Sequence, residues 1–568
     1  MRQHGGLGHP SLATGAGAGS GSRASDEAGH EQAFRNFGST DAAPAAEIRD
    51  QAGDPHGAQI LIGKLIQRMS EPYPFGGNAR PQGGSIDNPE IPAGYTYFAQ
   101  LAGHDIVHGA MTAVTTADGG LPRVNLRTRP LVLDTIYGSG PTDDPISYEV
   151  PAALGEGREK LRLGHIRITQ PHRAGCPIHT IRDIPRARIE SLSDAPTEGA
   201  ADTLLTDPRN DDNVNLSQVT TLFLMFHNVV IDALRQKSPF PAAVGQQEEL
   251  LSLLRFNLAR RITAFVYRGI VVKDLLPKLI RPRIWALYNQ DRPRPLVDRT
   301  DGRVPLEFCD ATYRLGHAMV RQSYRMSRQT ETFGVRDMIM TSSARRPRET
   351  PIRDIWVAEW SRFFSIDGSR PQNSRRIGPS YNEVMLYDSV FPNEYVPGTE
   401  PADEYLSGLL YRDLVRGSLS NLRTVDSLAA LMPAAVLKHS PLLADREDRI
   451  STLKAWLDGG TSVTFDPAER DAIAENPPLL FYLLFEAAHE ADGRSLGTLG
   501  SIIAADVFAG SLEHSRDLVE GARDLASGLT TAEAVEHVFG QAVPASMSDL
   551  IVAIAHALKL ENVEPPFI

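Results

Sequence analysis

Gln100 and His104 stand four residues apart in IPAGYTYFAQLAGHDIVHG (91–109), a spacing that puts both on one face of a helix. An amide and an imidazole so placed could address one small ligand together. Taken alone the pair is a weak signal, because a histidine on a helix is more often a hydrogen-bonded core or surface residue. The only cysteines, Cys176 and Cys309, are too few for a disulfide framework and too far apart for a zinc-ligand spacing, so they read as buried thiols.

A helix carrying such a pair needs neighbours that bury it. The segment NVNLSQVTTLFLMFHNVVIDALRQ (213–236) sets Leu216, Val219, Phe223, Phe226 and Val230 at spacings of three and four, the stripe of a packed helix. A second helix follows at 246–274, with further helical patterns over 452–486, 498–512 and 530–560. Between 46 and 200, helical pieces alternate with Pro/Gly-punctuated loops such as PYPFGGNARPQGG (72–84), which suits an irregular, ligand-wrapping fold more than a sheet. The expected class is mainly α, with few short strands and no solenoid repeat. Residues 1–45, rich in Gly, Ala and Ser, read as a disordered tail; residues 46–515 read as one helical domain and 516–568 as a helical C-terminal extension.

A chain of 568 residues can enclose a deep, dry cofactor pocket, and 41% hydrophobic with 23% charged residues is an ordinary globular balance. The net charge of -12 argues against a phosphate-tracking surface, so no nucleic-acid partner is expected. No uninterrupted apolar run reaches about 18 residues; the run at 222–226 stops at His227 and Asn228, and no transmembrane helix is expected. The N-terminus lacks the apolar stretch of a secretory signal, which favours a cytoplasmic location and leaves an extracellular one open.

Six segments, in order, carry a resemblance to animal-type heme peroxidases of the peroxidase-cyclooxygenase superfamily, closest in pattern to bacterial members. IPAGYTYFAQ with His104-Asp105 resembles the distal-helix signature, and TDPRNDDNVNLSQVTTLFLMFHN (206–228) the Asp-x-Arg segment ending in His-Asn. ARRITAFVYRGIVVKDLLP (259–277) resembles the helix that follows, and FCDATYRLGHAMVRQSYRM (308–326) the proximal helix. LLYRDLVRG (409–417) is similar to the proximal-partner segment, and NPPLLFYLLFEAAHEADGRSLGTLGSIIAADVFAGSL (476–512) to the last shared stretch. The resemblance implies the heme peroxidase fold, heme b as cofactor, and His317 as the proximal iron ligand. It implies His104 as proton-transfer base, Arg209 as catalytic arginine and Gln100 holding water or a small anion. Arg314 would meet a heme propionate, and Asp413 would stand where the family usually has Asn, giving the proximal imidazole more imidazolate character.

Two family features are altered. Many animal members esterify heme through an Asp just before the distal His and a Glu three residues after the catalytic Arg; here Gly103 and Asp212 hold those positions, so heme is expected to be held mainly noncovalently. The family's calcium site corresponds to Asp105, Thr128, the Pro130 carbonyl and Asp134, but Val132 replaces a usual Asp. Calcium prefers six to eight oxygen ligands, which leaves two readings: a calcium site, or a metal-free loop in which Asp105 and Asp134 tether backbone.

The implied activity is peroxide reduction with oxidation of small phenol-like donors through a ferryl intermediate. The alternatives are a fatty-acid dioxygenase and a catalytically idle heme-binding protein. In the dioxygenases a Tyr three residues before the proximal His is the radical site; here that position is Arg314, and Tyr313, one residue off, is expected to point elsewhere, since one residue of α-helix turns by about 100°. Tyr95, Tyr97, His172 and His179 could line the access route, although ordinary packing suits each.

Overall fold

The helix expected over 213–236 forms the centre of a computed structural model that describes residues 32–39, 55–75, 86–111, 123–188, 200–242, 247–299, 301–387, 408–521 and 523–568. The helices that frame the site are α1 (Pro55–Met69), α2 (Gly94–His104), α3 (Val214–Gln236), α4 (Glu248–Ile270), α5 (Gly408–Leu419), α6 (Leu479–Ala491), α7 (Thr498–His514), α8 (Thr531–Phe539) and α9 (Met547–Leu558). Strands among the described residues are two to six residues long and pair in small antiparallel ribbons, so the class is mainly α.

Helix α3 starts where the Asn213 side chain accepts from Leu216 N–H, which satisfies one of the open donors of the first turn. It is long and apolar enough to cross a membrane by length and composition, but its apolar window is wholly buried. It packs against α2, α4 and α9, so its hydrophobic side chains form the core of a folded body. The His227-Asn228 pair on α3 does structural work: Asn228 exchanges two 2.8 Å hydrogen bonds with the Leu161 backbone, and His227 lies 3.0 Å from the Tyr137 hydroxyl and 2.9 Å from the Glu159 carbonyl.

The long pattern over 452–486 divides into three helices, Arg446–Asp458, Pro467–Glu475 and α6. Gly459-Gly460 ends the first and Pro477-Pro478 separates the last two, because glycine favours a helix end and proline cannot continue one. Helix α4 runs into a π turn, Val271–Leu275. Asp274 on that turn accepts from the Tyr95 hydroxyl of α2 at 2.8 Å and from Met547 N–H of α9 at 2.8 Å. The C-terminal segment is thereby tied to the helix that carries His104, and at its end Arg182 donates to the carbonyls of Pro565 and Pro566 beneath a buried Phe567.

One part of the expected disordered tail is not disordered. Residues 1–31 and 40–45 lie outside the described residues, but Gln32–Ala33 pairs with Val124 and Asn125. Arg35 forms a bidentate pair with Asp298, Phe37 is fully buried, and the buried Glu307 accepts from Asn36 and from Phe37 N–H. Two phenylalanines and an arginine within a Gly/Ala/Ser-rich stretch supply the apolar area and charge pairing that the rest of the tail lacks. Of the two cysteines, Cys309 is buried but Cys176 is only half-buried.

Candidate functional site

Helix α2 and the turn 206–213 form one wall of a cavity of about 1390 Å³. Gln100 and His104 both face it, as their spacing implied. Asp207 opens the turn by accepting from Arg209 N–H, and Pro208 occupies the first position of the short helix Pro208–Asp211. His104 Nδ1 lies 2.9 Å from Asn210 Oδ1, so its Nε2 is the nitrogen left toward the cavity. Burial, then the nearby Arg209 guanidinium, pushes the His104 pKa down to about 3.

Arg209 is held by four hydrogen bonds. Its Nη1 donates to the Val107 carbonyl at 2.7 Å and Nη2 to the His104 carbonyl at 3.1 Å, while Nε and Nη2 grip Asp207 at 3.0 and 2.6 Å. Arg127 reaches the same carboxylate at 2.6 Å. Burial would raise the Asp207 pKa, but the Arg209 and Arg127 charges outweigh it and hold the carboxyl far below its ordinary value.

The segment Thr312–Met319 also lines the cavity, and it is a 3-10 helix rather than the expected α-helix. Its three residues per turn put Arg314 directly over His317. His317 Nδ1 sits 2.5 Å from Asp413 Oδ2, and Arg314 Nη1 lies 3.9 Å from Asp413 Oδ1. Asp413, on α5, is only 3% exposed, whereas the His317 side chain is 27% exposed, and both line the cavity. Arg314, expected at a propionate, thus also stands beside the carboxylate that orients His317, and it donates to the Cys309 carbonyl at 3.2 Å.

Tyr313 does not point elsewhere. All residues from Thr312 to His317 line the cavity, so the segment has no face turned away from it. The Tyr313 ring packs onto Gly103 of α2, where an added Cβ would fall 1.8 Å from ring atom Cε2. Its hydroxyl donates to the Gln100 carbonyl at 3.3 Å, and its ring centre is 6.5 Å from that of His104. Gly103 is therefore the gap that admits the tyrosine. Tyr97 also lines the cavity, whereas Tyr95 is bound to Asp274 and His172 to Asp354, and neither they nor His179 reach it.

Residues 159–364 match the family model described as animal haem peroxidase. The matched stretch is similar to that family and spans little more than a third of the chain. It contains Arg209, Arg314 and His317, while His104 and Asp413 reach the same cavity from outside it. Solved structures with similar folds include fatty acid alpha-dioxygenases from Arabidopsis thaliana and Oryza sativa. The first is 13% identical with a TM-score of 0.51, over 90% of this chain and 77% of that one. The second is 13% identical with a TM-score of 0.52, over 94% and 83%. Peroxidase A from Dictyostelium discoideum aligns over 89% of this chain and 92% of its own, at 12% identity and a TM-score of 0.49. No curated protein sequence matches the chain.

The cavity fits heme. Two imidazoles line it, one against a carboxylate and one neutral. An added Cβ at Gly316, beside His317, would meet nothing within 4 Å. Leu315, Met319, Met385 and Phe508 give apolar walls, and Arg345, Arg412 and Arg416 join Arg314 as cations for two propionates. Those three arginines escaped the sequence reading; the runs SARR (343–346) and YRDLVR (411–416) are the signals that could have found them. Asp212 also lines the cavity, its pKa raised to about 6 by burial against the opposing charges of Arg345 and Arg209.

Calcium does not fit. Asp105 accepts from Leu133 N–H at 2.7 Å, and its pKa is raised to about 7 by burial. Asp134 is bound by Arg129 at 2.9 Å and by Arg260 of α4 at 2.8 Å. The Pro130 carbonyl accepts from Ser515, the Thr128 carbonyl faces His514, and Val132 is buried. Two guanidiniums therefore supply the positive charge that a cation would bring, and among the described residues no cluster of three or more His, Cys, Asp or Glu side chains could hold a metal ion. Chelation with EDTA is expected to leave the melting midpoint unchanged, whereas a calcium site at hundredfold excess over its Kd would contribute about 2.7 kcal/mol. A calcium-dependent rise in differential scanning calorimetry would contradict the metal-free loop.

Proposed function

We propose that the chain is a heme-dependent peroxidase that reduces hydrogen peroxide and oxidises small phenol-like donors. The observation that carries this reading is a pair of imidazoles lining one cavity: a buried, neutral His104 and a His317 bound to Asp413. Heme b, which His317 would hold through Nε2, would supply the redox chemistry, with peroxide as the two-electron oxidant and the phenol-like donors as reductants. Asp413 accepts the His317 Nδ1–H, fixes the tautomer and makes the ligand more electron-rich. His104 Nε2 takes the proton of the incoming hydroperoxide oxygen and returns it to the departing one. Arg209 keeps a pre-positioned positive charge beside that departing oxygen, which needs no reorganisation because Asp207 and two carbonyls already hold it.

Heme binding is proposed to be mainly noncovalent, since Gly103 has no carboxyl to form an ester and Asp212 is one methylene shorter than Glu. Acid-acetone treatment is expected to extract most of the heme; heme that stays with the polypeptide would point to an Asp212 ester.

With a pKa of about 3, His104 keeps its lone pair in mildly acid solution, where an ordinary imidazole, near about 6.5, would become protonated. The bimolecular rate with peroxide is therefore expected to stay flat from about pH 8 to about pH 5 and to fall only as the pH approaches the His104 value. A fall centred near about pH 6.5 would contradict this placement of His104.

A second reading, a fatty-acid dioxygenase, is favoured by Tyr313, whose ring reaches the cavity beside His104. Two assays of the heme-loaded chain separate the readings: peroxide-dependent oxidation of a phenol, and oxygen consumption with a long-chain fatty acid. Phenol turnover without oxygen uptake is the expected result. Oxygen uptake abolished by Tyr313→Phe would establish the second reading instead.

A further inference from the structure

We infer that Asn210 is the positioning residue that holds His104 with its Nε2 lone pair toward the cavity, within a turn that presets the hydrogen-bond polarity of that wall. This rests on the peroxidase reading only for its kinetic consequence.

Asn210 follows Arg209 on the short helix of the 206–213 turn and is fully buried. Its Oδ1 is 2.9 Å from His104 Nδ1, while its Nδ2 has no hydrogen-bond partner among the described residues. A buried amide hydrogen left unpaired costs roughly 1–3 kcal/mol, which an apolar side chain at this position would avoid; the amide is kept for what its oxygen does. An oxygen facing Nδ1 requires the proton to sit on Nδ1, and a neutral imidazole then has only a lone pair on Nε2. The same turn fixes the neighbouring amide. Asn213 Oδ1 is committed to capping α3 through Leu216 N–H at 2.9 Å, so its Nδ2 is the end that donates to Gln100 Oε1 at 3.3 Å. Gln100 therefore presents its NH2 group to the cavity. One seven-residue stretch, Asp207 to Asn213, thus gives the wall an acceptor at His104, a donor at Gln100 and a cation at Arg209. That set matches hydrogen peroxide, which must donate a proton and accept hydrogen bonds at once.

The test uses the full heme-loaded chain with Asn210→Leu and Asn210→Asp. In the ferrous, carbon-monoxide-bound form, which is diamagnetic, the 15N shifts of His104, assigned by comparison with His104→Gln, report which nitrogen carries the proton. Wild type and Asn210→Asp, which keeps an acceptor oxygen, are expected to show the Nδ1–H form; Asn210→Leu is expected to shift toward Nε2–H. In stopped flow, Asn210→Leu should react with peroxide at least about tenfold more slowly, within the range of about 10²–10⁴-fold that a positioned base contributes, and Asn210→Asp should recover most of the rate. An Nε2–H form in the wild type, or an unchanged tautomer and rate in Asn210→Leu, would overturn the inference. Should the leucine variant fail to fold, the wild-type tautomer decides it. A wild type that does not react with peroxide but shows Nδ1–H would overturn the peroxidase reading and leave the positioning role standing.

Discussion

His104→Leu is expected to slow the reaction of the heme-loaded chain with hydrogen peroxide by about 10²–10⁴-fold, the contribution of a positioned general base. Heme binding should be retained, because the side chain that would ligate iron, His317, is held by Asp413 at 2.5 Å. Leucine is close to imidazole in volume, and the site it would enter is 6% exposed, so the fold has little reason to rearrange. Stopped-flow absorbance at several peroxide concentrations gives the rate. A variant within a few-fold of wild type would mean that the proton moves by another route, with His108, which also lines the cavity, the nearest imidazole in sequence.

Asp207→Ala carries the largest expected cost in stability, about 3 kcal/mol or somewhat more. The carboxylate is 2% exposed and neutralises Arg209 and Arg127, whose side chains are 24% and 11% exposed. Removing it leaves two guanidiniums close together without their shared anion, and also deletes the cap that starts the Pro208–Asp211 turn. The peroxide rate should fall as well, since Arg209 keeps only its two carbonyl bonds. Denaturant unfolding measures the first effect; a loss under about 1 kcal/mol would show that solvent screens the triad as it screens surface ion pairs.

Of the chemistry-bearing residues, only the Gln100–His104 pair was legible from spacing, and weakly; Arg209, His317 and Asp413 were picked out by the resemblance of their segments to heme peroxidases. Gln100 and His104 share a helix face, and Arg209, His317 and Asp413 converge on the same cavity from segments more than a hundred residues apart in two cases. Helix α3 was legible, since a stripe at 3.6-residue period has few other uses. What could not be read was set by partners distant in sequence or by unexpected local geometry. Tyr313 was assigned an α-helical rotation, but the segment winds as a 3-10 helix lying along the cavity. Arg260, which answers Asp134, comes from α4, and nothing in the 125–138 loop announces it. Nothing in TDPRNDDN singles out Asn210 and Asn213, because asparagine at a helix start is normally explained by capping alone. Residues 32–39 were lost in the composition of the tail around them, although Phe34, Arg35 and Phe37 were visible as departures from it.

The most direct measurement is the absorbance spectrum of the heme-reconstituted chain, wild type and His317→Ala, before and after mixing with hydrogen peroxide. The wild type is predicted to show a ferric Soret band that shifts rapidly on mixing and returns when a phenol is added. His317→Ala is predicted to lose the ligand-specific spectrum and the rapid shift together. Identical spectra and identical peroxide responses in the two proteins would contradict the assignment of His317 as the residue that holds the iron.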